Sequence, residues 1–174
     1  MSNAATSSPR WDPAFIADVI KAYDVRGLVD EQITVDFVRA VGQSFSRLMR
    51  SEGALSVVVA HDMRDSGPEL AEAFAEGVTE QGLNVINIGL ASTDEMYCAS
   101  GLLQVPGAMF TASHNPAAYN GIKLCRAGAR PVGQDTGLAT ISQELAEGVP
   151  ESNGAHGHVT NRDMLQDYAD YLNK

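Results

Sequence analysis

Apolar positions along the chain alternate between two periods. Over residues 34–50, Val38, Val41, Phe45 and Leu48 recur at helical spacing, with Thr34 placed as an N-cap and Gly53 as a stop. Residues 55–60 (Leu-Ser-Val-Val-Val-Ala) are short, β-branched and almost wholly apolar, which predicts a buried strand. A helix is expected next, capped by Ser66, with Pro68 in its first turn, running to about Gln81 and ended by Gly82. The remaining pattern predicts a strand over 83–88 and a helix over 93–103 with Asp94 and Glu95 in its first turn. Strands follow over 105–110 and 121–126, then a helix over 135–147 and a polar loop over 149–160. A terminal helix is expected over 161–172, with Met164, Leu165, Tyr168 and Leu172 on one side. Strand and helix alternate, the signature of a three-layer α/β/α domain. The hairpin-like pieces between 110 and 126 make the expected sheet mixed, though mostly parallel.

A length of 174 residues suits one domain with a real core, and 44% hydrophobic with 20% charged residues is ordinary for a globular chain. The net charge of −10 argues against nucleic acid or an anionic membrane as partner. It leaves room for a small anionic substrate held by a few Arg and Lys. No stretch approaches the roughly 18 apolar residues of a membrane span. Residues 1–10 lack the apolar segment of a secretory signal, so 1–12 is read as a flexible tail. Cys98 and Cys125 lie in apolar surroundings and read as reduced core thiols of a cytoplasmic protein, and no Cys/His spacing fits zinc.

Three loops hold candidate chemistry. In sheets of this kind, sites gather beyond the carboxyl ends of strands. After the strand ending at Phe110 comes Thr111-Ala112-Ser113-His114-Asn115-Pro116, then Tyr119-Asn120-Gly121-Ile122-Lys123. A serine that exchanges phosphate needs exposure, positive charge and approachable backbone amides; His114 and Lys123 can supply the charge. Taken alone, the loop could equally use Ser113 and Asn115 to satisfy its own backbone. The second loop, Lys21-Ala22-Tyr23-Asp24-Val25-Arg26-Gly27, offers the planar fork of Arg26 to a phosphate, or a solvated turn. In the third, His61-Asp62-Met63-Arg64-Asp65-Ser66, Arg64 is expected to pair with Asp62 or Asp65 and brace the site rather than touch substrate. His156 and His158 read as a solvated pair. Gly128 to Gly133 has P-loop glycine spacing, but Gln134-Asp135 stands where Lys-Ser/Thr is required.

Taken together, these strings resemble the α-D-phosphohexomutases, in the order that family has them. Tyr23-Asp24-Val25-Arg26-Gly27 is similar to its Tyr-Asp-Ile-Arg-Gly, a form of the phosphomannomutase/phosphoglucomutase branch. Asp62-Met63-Arg64-Asp65-Ser66 resembles its Arg-Asp-x-Arg-x-Ser turn, with His61 in place of the usual Arg. Residues 111–123 match its active-serine loop. The resemblance implies that Ser113 carries the transferred phosphate and that Arg26, Lys123 and His114 are catalytic. Tyr23, Arg26 and Lys123 would contact a hexose phosphate substrate. It further implies Mg²⁺ on an oxygen of the Ser113 phosphate, with glucose 1,6-bisphosphate or mannose 1,6-bisphosphate as activator.

The family's Asp-x-Asp-x-Asp metal loop, its Gly-Glu-x-Ser-Gly-His sugar loop and its Arg-x-Ser-Asn-Thr phosphate loop do not occur in the sequence. The chain is therefore expected to be a first domain over 13–160. The segment 161–174 would lead to missing domains of the same polypeptide, and activity alone would be negligible. Two other readings compete: a non-catalytic α/β module that binds a phosphosugar or a partner, and a serine hydrolase. The latter lacks a Gly-x-Ser-x-Gly elbow.

Overall fold

The computed structural model describes residues 8–174. Helix α1 (Pro13–Val19) opens with Pro13 at its first position, and the Asp12 carboxylate accepts the Ala14 N–H at 2.7 Å. Then follow β1 (Val25–Leu28), α2 (Val35–Ser51), β2 (Ser56–His61), α3 (Gly67–Glu80), β3 (Asn84–Leu90), α4 (Thr93–Leu103), β4 (Gly107–Phe110) and β5 (Tyr119–Arg126). The chain continues through β6 (Arg130–Pro131), a short 3-10 turn (Gln134–Thr136), α5 (Leu138–Glu147), β7 (Val159–Asn161) and α6 (Leu165–Leu172). Thr34 caps α2 as expected, its hydroxyl accepting the Phe37 N–H at 3.2 Å.

The seven-stranded sheet has the order β1-β5-β4-β2-β3-β7, with β6 also beside β5. Strands β2, β3, β4 and β7 pair in parallel, while β5 pairs antiparallel with β1, β4 and β6. Only β5 runs against the rest, so the sheet is mixed and mostly parallel. Side chains alternate across it. Val57, Val59, Ala108, Phe110, Ile122 and Leu124 enter the large core under α1, α2, α3 and α5, whereas Val58, Ala60, Met109 and Cys125 meet α4 and Met164 on the other face. Helices α2 and α3 approach so closely that a Cβ on Gly77 would stand 2.1 Å from the Arg39 carbonyl oxygen, and one on Gly42 2.4 Å from that of Phe74.

Several expectations change. Ser66 precedes α3 but does not cap it, because its hydroxyl accepts from Asn120 Nδ2 at 2.8 Å. The helix expected over 135–147 is interrupted at Gly137. The loop over 149–160 and the helix over 161–172 share β7: three polar-flanked residues pair with β3, and the helix starts only at Leu165. Along that helix Met164 is buried while Leu165 and Leu172 are exposed, so they do not form one buried side. Helix α1 and strands β1 and β6 are too short for periodicity to reveal. Of the tail expected over 1–12, residues 1–7 lie outside the described residues. Trp11 is tied down, its N–H donating to the Leu145 carbonyl at 3.1 Å and its ring packing edge-on against Phe37. No helix among the described residues is long and apolar enough to cross a membrane.

Candidate active-serine site

Strands β2 and β4 are parallel neighbours with His61 level with Phe110, so the loops after both leave the same edge of the sheet. The Asp62 N–H donates to the Phe110 carbonyl at 3.0 Å and joins the two exits. Beyond Phe110, the Thr111 N–H still pairs with the Gly121 carbonyl at 3.0 Å. Gly121 in turn lies opposite Arg26 of β1. Thr111, Gly121 and Arg26 therefore stand in one row across three strands, about 10 Å from end to end. A Cβ at Gly121 would fall 2.1 Å from the Val25 carbonyl oxygen, so only glycine lets β1 and β5 close this row.

Ser113 occupies a tight turn. Its φ is +53°, in the left-handed region that costs an L-residue about 1–2 kcal/mol. The turn is closed by two hydrogen bonds to the Ala112 carbonyl, from the Asn115 N–H at 3.0 Å and from Asn115 Nδ2 at 2.7 Å. The Ser113 N–H donates to Thr111 Oγ1 at 3.0 Å. Ser113 and His114 are exposed, and no side chain of the described residues is hydrogen-bonded to the Ser113 hydroxyl. His114 is thus not hydrogen-bonded to it as a nucleophile–base pair. An open cleft of about 740 Å³ borders Ser113 and Asn115, with Asp30, Asp62, Asp65 and Ser66 along its other wall.

The cations divide into two groups. Arg26 Nη2 lies 3.9 Å from Asp24 Oδ1 and Lys123 Nζ lies 3.8 Å from Asp24 Oδ2, so one carboxylate holds both. The antiparallel register sets Lys123 across from Asp24, two residues along from the Arg26–Gly121 pair. Arg26 and Lys123 share the sheet face opposite Val25, Ile122 and Leu124. Arg64 forms the second group with Asp62, whose Oδ2 is 3.6 Å from Arg64 Nε and whose Oδ1 accepts the Arg64 N–H. The expected ion pair is present, but the guanidinium also donates to the carbonyls of Ser113, Asn115, Pro116 and Tyr119. Tyr23 is 80% exposed at the mouth of β1.

Sequence reasoning gave Asp24 no role and missed the Ser66–Asn120 bond and the carbonyl contacts of Arg64. Apart from the Asp24–Arg26 pair, each joins residues far apart in the chain, and no local pattern signals them. A second pocket of about 430 Å³ near Trp11 and His156 is smaller, and its Arg39 is already tied to Glu80.

The described residues include no group of three or more His, Cys, Asp or Glu side chains able to hold a metal ion. Asp62, the carboxylate paired with Arg64 beside Ser113, is committed to that arginine. Among the described residues, side chains alone therefore do not make up a Mg²⁺ site.

Residues 17–150 match the family model described as phosphoglucomutase/phosphomannomutase, alpha/beta/alpha domain I. A phosphomannomutase of Vibrio cholerae is 39% identical over 159 residues, covering 87% of this chain and 34% of its own length. A protein of Xanthomonas campestris named for phosphohexose mutases is 42% identical over 135 residues, covering 77% of this chain and 28% of its own. The crystal structure of a phosphoglucomutase/phosphomannomutase family protein from Burkholderia thailandensis superimposes with a TM-score of 0.82 at 28% identity. It covers 92% of this chain and 35% of the other. The chain thus spans about a third of the length of the curated relatives it matches. It belongs to the phosphoglucomutase/phosphomannomutase family, and the part it carries is that family's α/β/α domain I.

Proposed function

We propose that this domain supplies the phosphate-carrying serine of a mutase that moves phosphate between the 1- and 6-positions of a hexose phosphate. The observation that carries the reading is Ser113 itself. It is an exposed hydroxyl on a left-handed turn, braced through its backbone, at the edge of a sheet whose neighbouring strands carry Arg26 and Lys123.

In this reading, phosphorylated Ser113 transfers its phosphoryl group to a free hydroxyl of the sugar phosphate. The bond from phosphorus to Ser113 Oγ breaks, a bond from phosphorus to the sugar oxygen forms, and the sugar hydroxyl proton leaves for solvent or a nearby base. The sugar is then a 1,6-bisphosphate. After it turns over, Ser113 Oγ takes the other phosphoryl group and releases the isomeric monophosphate. Transfer of this kind depends on positioning and on neutralising charge. Arg26 and Lys123 supply the positive charge, Asp24 keeps both on the same face, and exposed Tyr23 and His114 shape the approach of the sugar.

Glucose 1,6-bisphosphate or mannose 1,6-bisphosphate would reload Ser113 after loss of its phosphate. A Mg²⁺ ion on that phosphate would need ligands beyond these side chains, and no step above passes through one. The 174 residues alone are expected to have negligible turnover, the substrate being enclosed by the rest of the polypeptide.

The test is intact mass of the full-length protein before and after hexose 1,6-bisphosphate, beside Ser113→Ala. A phosphate-sized gain that passes to hexose phosphate and is absent from the variant supports the mutase. A serine that never loads leaves a module that binds a phosphosugar or a partner without chemistry.

A further inference from the structure

Arg64 is mostly buried, its side chain 13% exposed, just outside the helix that follows β2. A guanidinium has five N–H donors in a fixed plane. Nη1 donates to the carbonyls of Pro116 at 2.8 Å and Tyr119 at 2.9 Å. Nη2 donates to those of Ser113 at 3.0 Å and Asn115 at 2.8 Å. The fifth donor, at Nε, faces Asp62 Oδ2 at 3.6 Å. Both Nη atoms are thus hydrogen-bonded to the loop, and Nε is held by its ion pair with Asp62. The fork of Arg64 is therefore turned to the loop, and its two Nη atoms would have to release those carbonyls to grip a substrate phosphate.

The four carbonyls span the whole excursion from the serine to the start of β5. Every one is drawn toward the same cation, and in a trans peptide the following N–H points the opposite way. Fixing the Ser113 and Pro116 carbonyls on Arg64 therefore turns the N–H groups of His114 and Ala117 away from it. The same turn fastens the loop's far end, where Asn120 Nδ2 donates to Ser66 Oγ and Asn120 Oδ1 accepts the Gly121 N–H at 2.8 Å. Nothing apolar holds this segment: Ser113, His114, Pro116, Ala117 and Ala118 are all exposed. Its shape depends on directional hydrogen bonds, and one side chain provides four of them.

We propose that Arg64 is the positioning residue of the serine loop. It holds the Ser113 turn in its transfer-ready shape without itself contacting the sugar phosphate. The inference rests on the mutase reading above. It separates Arg64 from Arg26 and Lys123, which among the described residues are ion-paired with Asp24 alone. A lysine keeps the charge at position 64 but presents one nitrogen in place of a planar fork, and cannot reach four carbonyls at once.

The experiment compares wild type, Arg64→Lys and Arg64→Ala in the full-length protein. It measures kcat and KM for a hexose 1-phosphate, and the rate at which glucose 1,6-bisphosphate loads Ser113. Thermal melts identify any variant that fails to fold. Both variants are expected to lose about 100-fold in kcat with KM nearly unchanged, as for a reacting group displaced by about 1 Å. Guanidinium ion at millimolar concentration is expected to restore part of the loading rate to Arg64→Ala and none to Arg64→Lys, whose ammonium occupies the cradle. Arg64→Lys with wild-type kcat would overturn the inference. So would a loss expressed mainly as raised KM, which would make Arg64 a phosphate ligand. If Arg64→Ala does not fold, the Lys variant alone decides by the same two criteria. A wild type that never takes phosphate at Ser113 sinks the mutase reading and this inference together; a loading wild type beside a normal Arg64→Lys sinks only the inference.

Discussion

The two faces of the sheet are built differently. One is covered by α1, α2, α3 and α5, with Phe37, Phe45, Phe74 and Phe110 fully buried and Phe74 packed against both Phe45 and Phe110. The other carries only α4 and α6, and its core is small: Val58, Ala60, Met96, Ala99, Met109, Cys125 and Met164. Toward the β1 and β5 side that thinner face carries the half-buried Arg26 and Lys123. Burial of apolar area is strong but has no direction, whereas hydrogen bonds and ion pairs are individually weak but fix orientation. The thick face accordingly supplies stability, and the thin face, with the loops at its edge, presents polar groups in set directions.

Four measurements can break or sharpen that division. Phe74→Ala removes a ring that touches both Phe45 and Phe110, and is expected to cost about 3–5 kcal/mol in denaturant unfolding. Arg26→Ala on the thin face should change stability by less than about 1 kcal/mol, because its ion pair is partly exposed. It should nevertheless slow phosphate transfer in the full-length protein by about 100-fold, the loss typical of one charge-stabilising donor. Equal effects of the two substitutions on stability would end the distinction. Gly77→Ala forces α2 and α3 apart and is expected to lower stability by about 1–3 kcal/mol with no change in Ser113 loading of the folded protein.

The smallest effect concerns pH. Paired hydrogen bonds from Arg126 to Glu52, at 2.8 and 3.0 Å, hold that carboxyl below the usual carboxylate range. A carboxyl lowered in the folded state contributes stability above its unfolded pKa of about 4.3, and loses it as pH falls through the lower folded value. Glu52 is partly exposed and screened, so Glu52→Gln should cost less than about 1 kcal/mol at neutral pH. The difference from wild type should vanish in acid. A gap that persists at low pH would mean that the substituted amide disturbs packing rather than an ion pair.

Legibility in the sequence followed the length and regularity of each element. Helix α2 could be placed within a residue because its apolar spacing is strong and Thr34 caps it, and α4 fell where its first-turn acids predicted. Helix α1, at seven residues, shows too few turns for a period, and β7 is three exposed residues that become a strand only because β3 offers an edge. Ser66 misled for a related reason. Its position suits a cap, but the hydroxyl is claimed by Asn120 from across the sheet.

The same limit applied at the site. The candidate residues Ser113, Arg26 and Lys123 could be picked out because each sits in a distinctive local string. That Asp24 holds both cations was not, since the contact depends on the antiparallel register of β1 on β5.

By itself, the sequence determined the periods of burial, and with them most helices and strands, the α/β class, and the strings that mark the serine loop. These depend on neighbours within a few residues, where side-chain spacing and backbone preference act directly. Only the tertiary structure decided that Arg64 grips the loop of Ser113 rather than simply pairing within its own turn. That contact spans 49 residues of chain and exists because β2 and β4 lie side by side with their ends level. Strand register is set by the whole packed sheet, which brings together groups that no local pattern connects.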